Sequence, residues 1–437
     1  MPANIVALPS QVAIKKHIIS ALRAYWLNQE KLIRQLPIVD ISEPLMNKTL
    51  KLYAVNLPDW GKSCGVNGAI LVPAEACQKG DNWQQIDWWL ASFLMLECWH
   101  ERCWEQQHGP IHSYSFRLKG WDTRVWDHAW VNRIGLFLRA WAAVMVEQKL
   151  DRLFDPIPAA RIVMTHDVDA VSKTLPIRIK QGIFNFFNSA RMFAEGNRTQ
   201  AWNKLITAKR FWFGSENWWT FDKLLVEESR FGIEAHFNFY ADVRKKTLTR
   251  WLLDPGYDVS DSKTRALLSQ IIKYGAEVGL HPTFDAWQSA EIMEQQKKEL
   301  EQVCGKTITT CRQHWLKFSW QKTWAAQQSI GLMQDSTIMF NDRPGFRAAA
   351  CLKWHPWDQT KNRAHTIFEV PTMMMDSHFY DYKMFSDEQR SVEIEKWVNE
   401  PKLTGGEVAV LWHPHTLTND YGWMPGFKNI LKALNER

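Results

Sequence analysis

The sequence predicts an α/β fold: a seven-stranded (β/α) barrel preceded by a small α+β domain. From residue 161 onward, short apolar, β-branched runs alternate with segments of helical periodicity, the pattern of a mostly parallel sheet. Before residue 158 that alternation is absent. Between the two regions, Asp155-Pro156-Ile157-Pro158 has the composition of a linker. The chain of 437 residues is also long for one compact domain, so domains are expected at 1–158 and 159–437.

Composition narrows the class. An apolar share of 46% with 23% charged residues is that of a soluble globular chain. The balance of 53 basic and 47 acidic residues is mildly positive and well mixed, and the absence of a Lys/Arg run argues against a nucleic-acid partner. Such a balance suits an anionic substrate or a membrane surface without selecting either. Seven cysteines, an odd number with no Cys-x-x-Cys pair, argue against a disulfide framework and for a reducing compartment. Lys15, Lys16 and His17 interrupt the only apolar stretch near the start, so no signal peptide is expected. The longest apolar candidate, 134–146, contains Arg139 and is too short to span a bilayer. A cytoplasmic location is therefore expected, and nothing in the sequence sets an oligomeric state. The 25 tryptophans suit sugar-stacking platforms or an aromatic core, with core the expectation for most.

In the first region, 14–36 has apolar residues at helical spacing, 51–56 and 69–72 read as short strands, and 87–102 and 130–148 read as helices. His100, His108, His112 and His128 match no ligand spacing and are expected to be solvated or core residues rather than a metal cluster.

In the second region, strands are expected at 162–165, 233–240, 277–280, 307–311, 332–336, 367–371 and 408–413. Helices are expected at 221–231, 264–274, 289–303, 321–329, 387–399 and 427–434. The long basic and aromatic stretch within 173–215 reads as an inserted helical hairpin or lid. A loop of about thirty residues follows the fifth strand, long enough to expect a functional role.

Chemistry gathers at the strand ends. The first strand runs into Thr165-His166-Asp167-Val168-Asp169. Alternation puts Asp167 and Asp169 on one face, about 7 Å apart. Two carboxylates there need a positive partner, of which a divalent metal is the simplest; the other reading is a helix cap or a solvated turn. Later strands end in His281, in Arg312 and His314, and in His413. Carboxylate plus imidazole suits a divalent metal, zinc foremost. With a free carboxylate to take a proton and an imidazolium to give one, these are parts for metal-assisted hydrolysis.

Residues 161–436 resemble the polysaccharide deacetylases, the NodB-like carbohydrate esterases. Thr165 to Asp169 is similar to that family's first motif, Gly279-Leu280-His281-Pro282-Thr283 to its second, Arg312-Gln313-His314-Trp315 to its third and Leu411-Trp412-His413 to its last. Gly345-Phe346-Arg347, Glu369-Val370-Pro371 and Met375-Asp376 are similar to segments of a divergent branch with an extra amino-terminal domain. The resemblance implies a distorted seven-stranded barrel and a divalent metal. It implies Asp167 as general base, Arg312 as the residue orienting it, His413 as general acid and Asp335 as the aspartate tuning that histidine. Asp169 and His281 would be metal ligands. The second motif's usual second histidine is Asp285 here, so the third ligand is His314, Asp285 or another residue.

The implied activity is hydrolysis of an amide C–N bond, foremost N-deacetylation of an N-acetylated sugar in a glycan or its precursor. The alternatives are a hydrolase of a non-sugar cyclic amide or imide and a metal-free glycan binder. A His-Asp phosphohydrolase built on His166-Asp167 fits poorly, because such sites lie on helices. Trp212, Trp218, Trp219, Trp315, Trp354, Trp357 and Trp412 fall near expected rim loops, as sugar platforms or as packing. Arg343 and Arg347 in the long loop could meet an anionic substrate group or serve solvated or capping roles.

Overall fold

The computed structural model describes residues 7–41, 46, 49–78, 82–382 and 385–436. Strands β1 (Leu52–Asn56) and β2 (Ala69–Pro73) pair antiparallel. The main sheet begins with β3 (Arg161–Val168), β4 (Ala235–Phe239), β5 (Glu277–Leu280), β6 (Thr310–Cys311) and β7 (Gln334–Asp335). Within the long loop, β8 (Trp357–Asp358) and β9 (Arg363–Ala364) form a small antiparallel pair. β10 (Phe368–Glu369), β11 (Thr372–Met375) and β12 (Glu407–Leu411) complete the set.

The main sheet is an α/β half-barrel in the order β10-β7-β6-β5-β4-β3-β12-β11, and β3–β4, β4–β5, β5–β6 and β10–β7 pair parallel. It has eight strands where seven are expected from the sequence. The eighth is β11, whose four residues are all buried. It follows β10 after only Val370 and Pro371, so the two read as one strand in the sequence.

Helix Phe221–Phe231 matches its expected span, burying Phe221, Leu224, Leu225 and Glu228 on one face and ending at Gly232, whose φ is 62°. The expected helix 87–102 is instead two, Trp88–Leu96 and Trp99–His108, separated at Cys98 with φ 44°. The expected insertion is the helical hairpin Leu175–Ala194 and Arg198–Phe213. Its helices approach closely at Gly182, where a Cβ would collide with the Trp212 ring.

The chain divides into two compact units, one of Met1–Val163, Leu316–Met374 and Lys396–Val410, the other of Met164–Trp315, Met375–Glu395 and Leu411–Arg437. The first unit thus combines the amino-terminal residues with two later segments of the chain. Its interior is tied by buried ions. Glu97 accepts from Arg102 Nη2 at 2.6 Å, Trp354 Nε1 at 3.0 Å and Trp357 N at 2.9 Å, and pairs with His17 Nε2 at 2.8 Å. Glu400 takes both Arg133 Nε and Nη2 at 2.7 Å. Such charges are stable in a core only because every oxygen is met by a donor.

Candidate metal centre

The site is built in the second unit from the carboxyl end of β3 outward. Alternation along β3 sends His166 and Asp167 to opposite sides. His166 is fully buried, with Nδ1 2.6 Å from Trp412 O and Nε2 2.6 Å from Glu228 Oε1. A carbonyl can only accept, so Nδ1 carries a proton. With Nε2 against the Glu228 carboxyl, both ring nitrogens are committed to structure.

Asp167 faces the other way. Its Oδ1 accepts from Asn238 Nδ2 at 2.8 Å and Arg312 Nη1 at 3.2 Å. Asn238 is the register partner of Asp167 on β4, and Gly279 is the partner of Asn238 on β5. A Cβ at Gly279 would strike Asn238 Oδ1 and Thr310 Oγ1, so the amide reaches Asp167 only because that position has no side chain. Burial alone would raise the Asp167 carboxyl, but the Arg312 guanidinium and the facing His281 hold it below its ordinary value.

Asp169, His281 and His314 each aim one ligand atom into a common space, with all three atoms within 4.8 Å of one another. His281 Nε2 lies 3.3 Å and His314 Nε2 3.7 Å from Asp169 Oδ1. That oxygen is buried and takes no hydrogen bond. His281 Nδ1 donates to Arg312 O at 2.7 Å, which directs Nε2 at Asp169, where its lone pair would be offered to a cation. Asp254 Oδ1 stands 3.4 Å from His314 Nδ1, and its own oxygens accept from Phe284 N and Arg250 Nε. A bare carboxylate oxygen facing two imidazoles, one hydrogen-bonded through its far nitrogen to Arg312 O and the other with its far nitrogen 3.4 Å from the Asp254 carboxylate, is a donor set that a divalent cation fits.

His413 approaches from the end of β12, with Nε2 3.6 Å from Asp169 Oδ2. Its Nδ1 is 2.9 Å from Asp376 Oδ1. Burial would depress this imidazole, but Asp376 pushes it up to about 10. His415, stacked on Trp218, is instead held down to about 4 by burial and by His413.

The structure therefore brings together Asp167, Asp169, His281, Arg312, His314 and His413. Asp335 accepts from Gln327 Nε2 at 2.9 Å and Thr337 Oγ1 at 2.6 Å, and pairs in register with Glu369. The carboxylate on His413 is Asp376, which the sequence offered within Met375-Asp376 without a role beside that histidine. Asp285 is engaged elsewhere, 3.1 Å from Arg244 Nη2 and accepting from Thr283 Oγ1 at 2.6 Å. Asn238 and Asp254 were also missed; a polar residue within apolar Ala-His-Phe-Asn-Phe was the available hint for Asn238.

Other candidates resolve into packing. Arg347 pairs with Glu101, and Arg343 with Asp127 at 2.9 Å. Trp354 and Trp357 belong to the Glu97 cluster, Trp412 is fully buried, and Trp218 Nε1 donates to Asp420. Trp219 meets Phe221 edge to face, and Trp315 Nε1 donates to Leu253 O. His100 lies near Glu75, His108 stacks on Trp104, His112 meets Phe318 O and His128 pairs with Glu400. Among the described residues no helix is long and apolar enough to cross a membrane.

No family model and no curated protein matches the chain. Among solved structures, it is similar to a candidate polysaccharide deacetylase from Mycobacterium smegmatis, with 16% identity, 64% of this chain and 89% of that one covered, and a TM-score of 0.38. It is similar to a family 4 carbohydrate esterase from Streptomyces lividans in complex with acetate, with 10% identity, 63% and 88% covered, and a TM-score of 0.28. A family 4 pseudoenzyme from Bacillus anthracis matches at 9% identity, 64% and 66% covered, and a TM-score of 0.28. Likeness this distant carries no weight for activity, which has to be argued from the side chains.

Proposed function

We propose that the chain is a metal-dependent hydrolase of an amide C–N bond, acting on an N-acetylated sugar in a glycan or its precursor. One observation carries this reading: buried, donor-free Asp169 Oδ1 lies 3.3 Å and 3.7 Å from two imidazole nitrogens, beside an ionised Asp167. Asp169, His281 and His314 would hold a divalent cation, zinc foremost. When bound, such a cation supplies Lewis acidity for the acyl oxygen and makes water more acidic.

The protein's own groups do the rest. Asp167, oriented by Arg312 and Asn238, takes a proton from the attacking water. The water oxygen forms the new bond to the acyl carbon, the C–N bond breaks, and acetate and a free amine leave. His413, charged against Asp376, gives its proton to the departing nitrogen.

The test is acetate release from N-acetylglucosamine oligomers by purified protein, with divalent ions supplied and after chelation. Metal-dependent release that is lost in Asp167→Asn supports the reading. Oligomer binding without release, in protein that retains no divalent ion, leaves the metal-free glycan binder. Turnover of a cyclic imide in place of the oligomers leaves the non-sugar hydrolase.

A further inference from the structure

The first helix of the inserted hairpin is built inside out. A surface helix of a globular protein turns its apolar stripe to the core and its polar residues to water. The helix Leu175–Ala194 does the reverse. It buries Gly182, Asn185, Asn188, Ser189 and Met192, and leaves Leu175, Ile179, Ile183, Phe186, Phe187 and Phe193 exposed. At about 100° per residue those six fall within about 120° of the helix circumference, so they form one stripe. The buried polar positions serve the contact between the two helices: Ser189 Oγ donates to Ala201 O at 2.6 Å.

The second helix, Arg198–Phe213, extends the surface. Trp202, Ile206 and Phe213 are exposed at i, i+4 and i+11, which is a single face. Rings join the two stripes. The Phe186 and Trp212 centroids lie 6.4 Å apart, and those of Trp212 and Phe213 also 6.4 Å. The short helix Leu248–Leu253 packs on the first hairpin helix and adds exposed Leu248, Trp251 and Leu252. Single exposed apolar residues are ordinary, but a continuous apolar face across two helices marks a docking surface.

Charge selects the occupant. Residues 173–215 hold eight basic side chains against one acidic, Glu195. That excess is larger than the net +6 of the whole chain, so the remainder is close to neutral. Arg198 and Lys209 flank the Trp202 face, and neither forms an ion pair among the described residues. A protein partner would have to match such cations one by one, whereas anionic headgroups supply a continuous counter-charge. Exposed aromatic rings on one face with cations beside them are the composition of a helix that lies in a bilayer interface.

We propose that the hairpin is a peripheral membrane-docking element, which lays its exposed apolar face into a bilayer that displays anionic lipid. The helices lie in the interface and do not span it. Docking there holds the candidate metal centre beside the lipid, because Lys180 of the hairpin sits 4.1 Å from the ring centroid of Trp315, the residue after His314. The proposal stands apart from the hydrolase reading, since vesicle binding is measured without turnover.

The test is co-sedimentation of the full chain with vesicles of phosphatidylcholine, alone and with about one-third phosphatidylglycerol. Wild type should bind the anionic vesicles about tenfold more tightly than the neutral ones, and about 1 M salt should close that gap. Phe187→Gln combined with Phe213→Gln, at positions 66% and 77% exposed, should weaken anionic-vesicle binding about tenfold with the circular dichroism unchanged. Arg198→Gln combined with Lys209→Gln should narrow the gap between the two vesicle types. Phe116→Gln, at an exposed ring outside the hairpin, should leave binding as in wild type. No sedimentation with anionic vesicles, equal affinity for both vesicle types, or full binding by both double variants would overturn the proposal. So would a loss in Phe116→Gln as large as that in the hairpin variants. Self-association in analytical ultracentrifugation that needs Phe187 and Phe213, with no vesicle binding, would make a second copy of the chain the occupant and overturn it too.

Discussion

Asp376 grips His413 at two points: Oδ1 lies 2.9 Å from the ring Nδ1, and Oδ2 accepts the backbone N–H at 2.8 Å. Burial works against the imidazolium, yet the carboxylate keeps the ring protonated up to about pH 10. If the charged ring is the acid, activity should persist into alkaline solution and fall only near that value. Asp376→Asn should move the alkaline limb of the pH–rate profile down by about two units. An unmoved limb would mean that another group donates the proton.

Asp254 stands behind His314 as the Arg312 carbonyl stands behind His281. Replacing such a backing group weakens metal affinity by about 10- to 100-fold. Asp254→Asn should show this loss in competition with a chromogenic chelator, while Asp285→Ala should leave affinity within about threefold. The reverse ranking would make Asp285 the third ligand.

Gly279→Ala should disturb the centre without touching any of its charged groups. The new methyl meets Asn238 Oδ1 and Thr310 Oγ1, and overpacking of this kind costs about 1–3 kcal/mol. Urea unfolding should register that cost, and acetate release should fall as Asn238 leaves Asp167. Asn238→Ala should reproduce the fall in activity with a smaller loss of stability.

Glu369 and Asp335 form a buried acid pair in the first unit, with Trp324 Nε1 3.2 Å from each. Burial first, and Asp335 second, raise Glu369 well above 4.5. The folded chain thus retains a proton that the unfolded chain releases near that value. The contribution is complete below the unfolded value and is lost as pH rises through the raised folded one. Wild-type stability should decline with rising pH across this window, and Glu369→Gln should flatten the decline. Urea midpoints at pH 5 and pH 8 measure it; parallel slopes would refute the shared proton.

Much of this arrangement was legible in the sequence because strand ends carry it. Asp167, Asp169, His281, Arg312, His314 and His413 each terminate or closely follow an apolar run, and a parallel sheet delivers such positions to one rim. What could not be read depended on partners with no periodic signature. Asp254 ends a six-residue helix, Leu248–Leu253, too short to show an amphipathic pattern. Asp376 follows β11, a strand hidden because Pro371 reads as the close of the preceding one. The strand that carries Asp335 was legible too, but the partners it takes there, Gln327, Thr337 and Glu369, are assembled only by the folded chain.

The position of β12 between β3 and β11 has a consequence for biosynthesis. One border of β3 stays without its neighbour until residues 407–411 have left the ribosome, although β3 itself emerges some 240 residues sooner. A chain halted in that interval exposes a template for intermolecular strand addition. Premature termination before Glu407 should therefore yield inclusion bodies rather than a smaller working protein.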